Sequence, residues 1–326
     1  DNDAMFAFAK RARQIVGDTN ERVAELADVV ITMACSALGT VTEENRVMFS
    51  SAVIDPRAQQ PAEIMLGSTH GIMFIEDYDD VRRRVDEHVD EARGAGAALR
   101  LIYPLALRAE LNHRTGRWPA AIADIDESMR LVEETGYDLL LAGHPIAISA
   151  LVECDTGRLE EAQRHIDYVT AMAERTGAHT IKLWAYWIAG RIAMLRGDFK
   201  RAADSLLRVP QIRLDTRWVE PNIVMVDGDI GETLIAAGNA VEARAQAERM
   251  RREGEALGRW FPQAAAARTE GLLADDDSDY EMAFARAAEL LQHVPLLHER
   301  ARTDLLLGIK RRKSGRVDDA RQALQA

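Results

Sequence analysis

Apolar residues recur along the chain at helical spacing, and the first stretch is the simplest. Over residues 1–16, Phe6, Ala9, Ala12, Ile15 and Val16 share one side, opposite Lys10, Arg11 and Arg13. Gly17 closes this predicted helix, and Asp18-Thr19-Asn20 supplies N-cap oxygens for the next. That second helix, over 20–38, carries Val23, Leu26, Val29, Val30, Met33 and Leu38 and is expected to be largely buried. A third apolar segment, over 43–54, ends at Asp55-Pro56, where proline bars continuation of a helix. The three segments predict an irregular helical cap over residues 1–60.

From residue 61 onward one phrase repeats. A small residue is followed seven positions later by a turn residue, then by an aromatic or aliphatic residue at two more and a small one at five more. Gly190, Gly197, Phe199 and Ala202 form the clearest copy; Ala109, Gly116, Trp118 and Ala121 form another. The turn slots fall at 76, 116, 157, 197, 238, 278 and 315, with steps of 40, 41, 40, 41, 40 and 37. Each unit therefore predicts one helix ending near the turn and a second beginning just after it. Glycine at the turn suits a helix end that enters the left-handed region. The small slot lets neighbouring helices approach closely. Gly136, Gly177 and Gly258, about 20 residues after their turns, read as caps of the second helices. Apolar residues nine after the turn, from Val85 through Leu206 to Leu324, are expected to fill the next core layer.

These slots match the tetratricopeptide pattern, although the period is longer than its roughly 34 residues and the consensus Trp and Pro are mostly absent. The resemblance implies an all-α, tetratricopeptide-like right-handed superhelix of antiparallel helix pairs with a period of about 40 residues, spanning 61–326 in seven units.

Composition narrows the function classes. A net charge of −12 over 326 residues argues against the whole chain being a nucleic-acid surface. Two cysteines, Cys35 and Cys154, make no disulfide framework and fit a reducing cytoplasm. No stretch approaches the roughly 20 apolar residues that span a bilayer, so no membrane partner is expected. No secretory signal opens the sequence; a start at Asp1 without Met suggests an excised piece of a longer protein.

Motifs for chemistry are few. No phosphate loop, zincin, nucleophile-elbow or zinc-spaced Cys/His pattern is present, so the sequence predicts no catalytic residues, no enzyme and no metal site. Asn222–Val226 followed by Gly228-Asp229-Ile230-Gly231 superficially resembles a strand and nucleotide loop, but Gly231 is the small slot of its repeat. Asp275–Asp279 reads as a helix cap rather than a calcium loop, which would need a glycine and a distal Glu. Lys310-Arg311-Arg312-Lys313 with Arg316 is the one cationic cluster. A helix C-terminus favours such charge, and contact with DNA or a DNA-binding module is the functional alternative.

In a tetratricopeptide-like array the first helices line the concave face, at 13, 10, 6, 3 and 2 positions before each turn. Those slots project His70, then Tyr103, Glu110, His113 and Arg114, then His144. The central repeat contributes Trp184, Trp187, Arg191 and Met194, and later ones Met225, Glu232 and Arg268. Apolar platforms with a few placed polar groups suit a small-molecule or peptide site. The structural alternative is that Trp184 and Trp187 fill gaps made by the small slots.

The last repeat carries a second resemblance. His298-Glu299-Arg300-Ala301-Arg302-Thr303, Leu305–Gly308 and Ser314-Gly315-Arg316-Val317-Asp318-Asp319-Ala320-Arg321-Gln322-Ala323-Leu324 are similar to the final helices before the helix-turn-helix of LuxR-type, MalT-like ATP-dependent regulators. The Thr-Gly-Arg turns at 115–117 and 156–158 are similar to their sensor repeats. The resemblance implies a sensor region that binds an inducer and self-associates. ATP and DNA would bind only through an upstream nucleotide domain and a downstream helix-turn-helix, and this chain carries the motifs of neither. The other reading is a scaffold whose groove takes a peptide or partner protein.

Overall fold

A computed structural model describes residues 2–17, 21–40, 67–136 and 143–324; among them every regular element is a helix. The apolar segment at 43–54 lies outside the described residues. In chain order the helices are α1 (Asn2–Val16), α2 (Glu21–Ala37), α3 (Gly67–Phe74), α4 (Tyr78–Gly94), α5 (Ala98–Arg114) and α6 (Trp118–Thr135). There follow α7 (Gly143–Asp155), α8 (Leu159–Thr176), α9 (His179–Leu195), α10 (Phe199–Leu206) and α11 (Arg208–Thr216). After a 3-10 turn at Pro221–Ile223 come α12 (Asp227–Ala236), α13 (Ala240–Leu257), α14 (Trp260–Leu273), α15 (Asp277–Leu290), α16 (Leu297–Lys313) and α17 (Val317–Ala323). Neighbours pack in pairs, among them α1 with α2, α7 with α8, α13 with α14 and α16 with α17.

The repeat grid sets these boundaries. Six of the seven turn slots have positive φ: Glu76 (69°) and Gly116, Gly157, Gly197, Gly238 and Gly315 (76–84°). Asp77, Asp198 and Asn239 follow three of these turns and accept from the amide of the third residue of the next helix. The slot at 278 departs from the pattern. Ser278 is already helical, because Asp276 caps α15 from an extended conformation, its side chain accepting from the Ser278 amide at 2.8 Å. The aspartate run is thus a helix cap, and Gly228 and Gly231 lie within α12 rather than in a loop. Gly136, Gly177 and Gly258 cap α6, α8 and α13 in the left-handed conformation.

The small slots permit close approach where the sequence requires it. A Cβ on Gly190 would lie 2.5 Å from Leu206, and one on Gly231 would lie 2.0 Å from Oγ1 of Thr269. Elsewhere in the same slot Ala109 and Ala150 are fully buried. The layer nine after each turn is buried from Val85 through Ile125, Ile166 and Leu206 to Ala287; each large member contributes about 1.5–3 kcal/mol. Leu324 breaks the rule and is exposed.

The chain forms two compact units. The first comprises residues 1–113, 117–188 and 208–220; the second comprises 114–116, 189–207 and 221–326. In the first unit α2 buries Ala24, Ala27, Ile31, Ala34 and Cys35, while Val23, expected inside, is exposed. The small residues win because α1 lies against that face, with Phe6 and Ala9 packed on Ile31 and Cys35. Burial pushes the Cys35 thiol up, which disfavours a reactive thiolate. The segment after α11 is tied to α2 by the Val219 and Glu220 amides, both donating to the Ala37 carbonyl at 2.7 and 3.2 Å. No described helix is long and apolar enough to cross a membrane.

Candidate functional site

Within the first unit, three successive repeats send polar and aromatic side chains to one place. Tyr103 and Glu110 lie seven residues apart on α5, about two turns, and so share a face. His70 on α3 and His144 on α7 flank them. Nε2 of His70 and Nε2 of His144 each lie 2.9 Å from the same atom, Oε2 of Glu110. The other ring nitrogen of His70, Nδ1, is hydrogen bonded to the Tyr103 hydroxyl at 3.1 Å. Glu110 has no exposed surface, and both imidazoles are nearly buried. The donor atoms of His70, Glu110 and His144 all lie within 4.8 Å of one another, close enough to share one proton or one cation.

Aromatic rings extend the cluster. Tyr103 stacks obliquely on His144 with centroids 5.1 Å apart, and Trp184 meets His144 edge-on at 5.7 Å. Trp187 lies 5.4 Å from Trp184 and is buried behind it. His70, Tyr103, His144 and Trp184 border a cavity of about 250 Å³, closed further by Met33, Phe74, Ile181 and Trp218. Its wall combines large apolar faces with a few convergent polar groups, the composition of a small-molecule site.

The remaining projected residues lie elsewhere. His113 occupies the first unit but turns to Asp155, with Nε2 to Oδ2 at 2.6 Å, and stacks parallel to Trp118. Arg191, Met194, Met225, Glu232 and Arg268 belong to the second unit. There Arg191 Nη1 donates to both carboxylate oxygens of Asp229 at 2.9 Å. Arg302 pairs with Asp229 and Glu232 at 2.8 Å, and Arg268 pairs with Glu299 at 2.7 Å and Glu232 at 3.3 Å. Burial alone would raise the Glu299 carboxyl; Arg268 and Arg302 outweigh it and hold it below the ordinary carboxylate range. Arg191, Met194, Leu195, Asp229, His298 and Arg302 border a second cavity of about 400 Å³. Met225 is buried between the 3-10 turn and α12.

The cationic run is largely engaged within its own unit. Lys310 Nζ donates to the carbonyls of Leu272 and Ala274, and Arg311 and Arg316 both bond Glu281. Sequence reasoning missed Asp229 and Arg302, although Arg302 sits 13 before its turn, the slot of Tyr103, His144 and Trp184. It also missed Trp218, which follows α11 and Arg217, the left-handed residue (φ 55°) in the helix-cap slot, and falls on none of the projected slots.

No protein-family model and no curated protein matches the chain, so its functional reading rests on these residues.

Proposed function

We propose that the chain is the ligand-binding region of a signal-responsive regulator of the LuxR type, with its helix pairs arranged as a tetratricopeptide-like superhelix. A small-molecule inducer occupies the cavity bordered by Tyr103, His144 and Trp184. The observation that carries this reading is the cavity itself: about 250 Å³ walled by aromatic faces, with the His70–Glu110–His144 cluster at its edge. The similarity of residues 298–324 to the helices preceding a helix-turn-helix supports the regulator part.

Four repeats, α2 and the segment after α11 all contribute to the cavity wall. A ligand seated there contacts several helices at once and favours whichever packing of them fits it best; binding and packing are then linked by differential affinity. The expected ligand is compact, largely apolar or aromatic, with one or two polar groups that reach the imidazoles. Screening metabolites by thermal shift, then comparing the chain with Trp184→Ala, tests the reading. A ligand that raises the melting temperature of the wild-type chain and not of the variant supports it. Stabilisation by peptides alone would instead favour the scaffold reading.

A further inference from the structure

We propose that His70, Glu110 and His144 form a binding site for one divalent first-row transition-metal ion, with the ion's remaining positions open to the neighbouring cavity. Two imidazole nitrogens and a carboxylate are the donor set that suits such ions, and an open site of this composition leaves room for an exogenous ligand.

Four observations converge. First, both Nε2 atoms point at one oxygen, Oε2 of Glu110, instead of dividing between its two oxygens. That convergence marks a single locus shared by three donors. Second, the distances fit. Adjacent donors around an octahedral ion with bonds of about 2.0–2.1 Å stand about 2.9 Å apart, and opposite donors about 4.1 Å. Both imidazole–carboxylate separations are 2.9 Å, and all three donors fall within 4.8 Å, so shifts of a few tenths of an ångström seat the ion. Third, His70 is oriented through its other nitrogen by the Tyr103 hydroxyl, the outer-layer contact that fixes tautomer and ring direction in metal-ligating histidines. Fourth, His70 and His144 border the cavity, while Glu110 is wholly buried behind them. The carboxylate thus anchors the ion from the protein side and leaves its other side facing space.

The donors are also preorganised. They project from three different helices, α3, α5 and α7, each fixed by packing in the first unit. His70 and Glu110 occupy the same repeat slot 40 residues apart, so the helix spacing of the array sets their separation.

The inference shares its cavity with the proposed function but does not depend on the small-molecule reading. An ion that binds while no metabolite does would sink that reading and leave this one.

The test uses the whole chain, stripped with a chelator and titrated with Co²⁺ while its visible absorption is followed. The expected result is saturation at about one ion per chain with micromolar or tighter affinity. His70→Ala and His144→Ala should each weaken binding about tenfold or more, and Tyr103→Phe should weaken it less. No saturable binding, or affinity unchanged in both histidine variants, overturns the proposal. Pulsed electron paramagnetic resonance of the Cu²⁺-loaded wild-type chain covers the case in which those variants fail to fold. It should count two coordinated imidazoles, and a count of none or one overturns the site.

Discussion

Nε2 of His144 lies 2.9 Å from Oε2 of Glu110, a carboxylate with no solvent-exposed surface. A buried acceptor of this kind persists only where donors meet it, and removing it strands them. Glu110→Gln keeps the shape of the side chain but replaces one carboxyl oxygen by an amide nitrogen that cannot accept. It should cost about 1–3 kcal/mol in urea unfolding. A cost near zero would mean that the cluster does not hold the first unit together.

The small slot in α12 gives a sharper test of the repeat grid. Gly231→Ala would drive a methyl group to 2.0 Å from Oγ1 of Thr269, which itself donates to the Ala265 carbonyl at 2.8 Å. Overpacking of this sort costs about 1–3 kcal/mol. Gly231→Ala combined with Thr269→Ala removes the two nearest clashing atoms, Oγ1 and Cγ2, so the double variant should be more stable than Gly231→Ala alone. Additive losses in a double-mutant cycle would contradict the close approach.

Arg302 sits among Asp229 at 2.8 Å, Glu232 at 2.8 Å and Glu299 at 3.6 Å. Arg302→Met would leave these three carboxylates facing Arg191 and Arg268, one cation short. Breaking a buried ion network from one side typically costs about 3–5 kcal/mol. Chemical denaturation should show a loss of that order, and a loss below about 1 kcal/mol would show that the network is effectively solvated.

Acid should weaken the C-terminal helices through Glu281. Its carboxyl is held below the ordinary value of 4.5, first by the hydrogen bonds from Arg311, with burial opposing and Arg316 assisting. A group depressed in the fold binds protons less readily there than in the unfolded chain. Its stabilisation is therefore complete above the unfolded pKa and is lost as pH falls through the depressed folded value. Glu281→Gln should cost about 1 kcal/mol at neutral pH. The difference between variant and wild type should close below that depressed value. A difference that persists unchanged in acid would contradict the assignment.

Much of this arrangement was legible because the repeat is periodic. Once Gly116, Gly157 and Gly197 fix the register, Tyr103, His144 and Trp184 fall in one slot, 13 before successive turns, and His70 and Glu110 in another. Residues in one slot of neighbouring repeats come together, as these five do. What periodicity could not give was the partner of each side chain. His113 shares a helix with Tyr103 and Glu110 but pairs with Asp155, at the opposite end of α7 from His144. Trp184 and Arg191 lie two turns apart on α9, yet the first borders the aromatic cavity and the second pairs with Asp229 in the other unit. Trp218 was illegible because it lies just past the end of a second helix, here broken into α10 and α11, and on none of the slots projected onto the concave face. The sixth turn slot failed because Ser278 stands in place of the glycine and Asp276 caps the helix from an extended backbone.

The central claim is that the cavity beside His144 and Trp184 holds a small molecule. The most direct measurement is the dissociation constant of a ligand found by screening, determined by calorimetry for the wild-type chain and for two single-tryptophan variants. Trp184→Phe changes the cavity wall, whereas Trp260→Phe alters a ring stacked 4.0 Å from His293 in the other unit. The account predicts about tenfold or weaker binding in Trp184→Phe and unchanged binding in Trp260→Phe. Equal affinity in all three proteins would place the ligand elsewhere and contradict it.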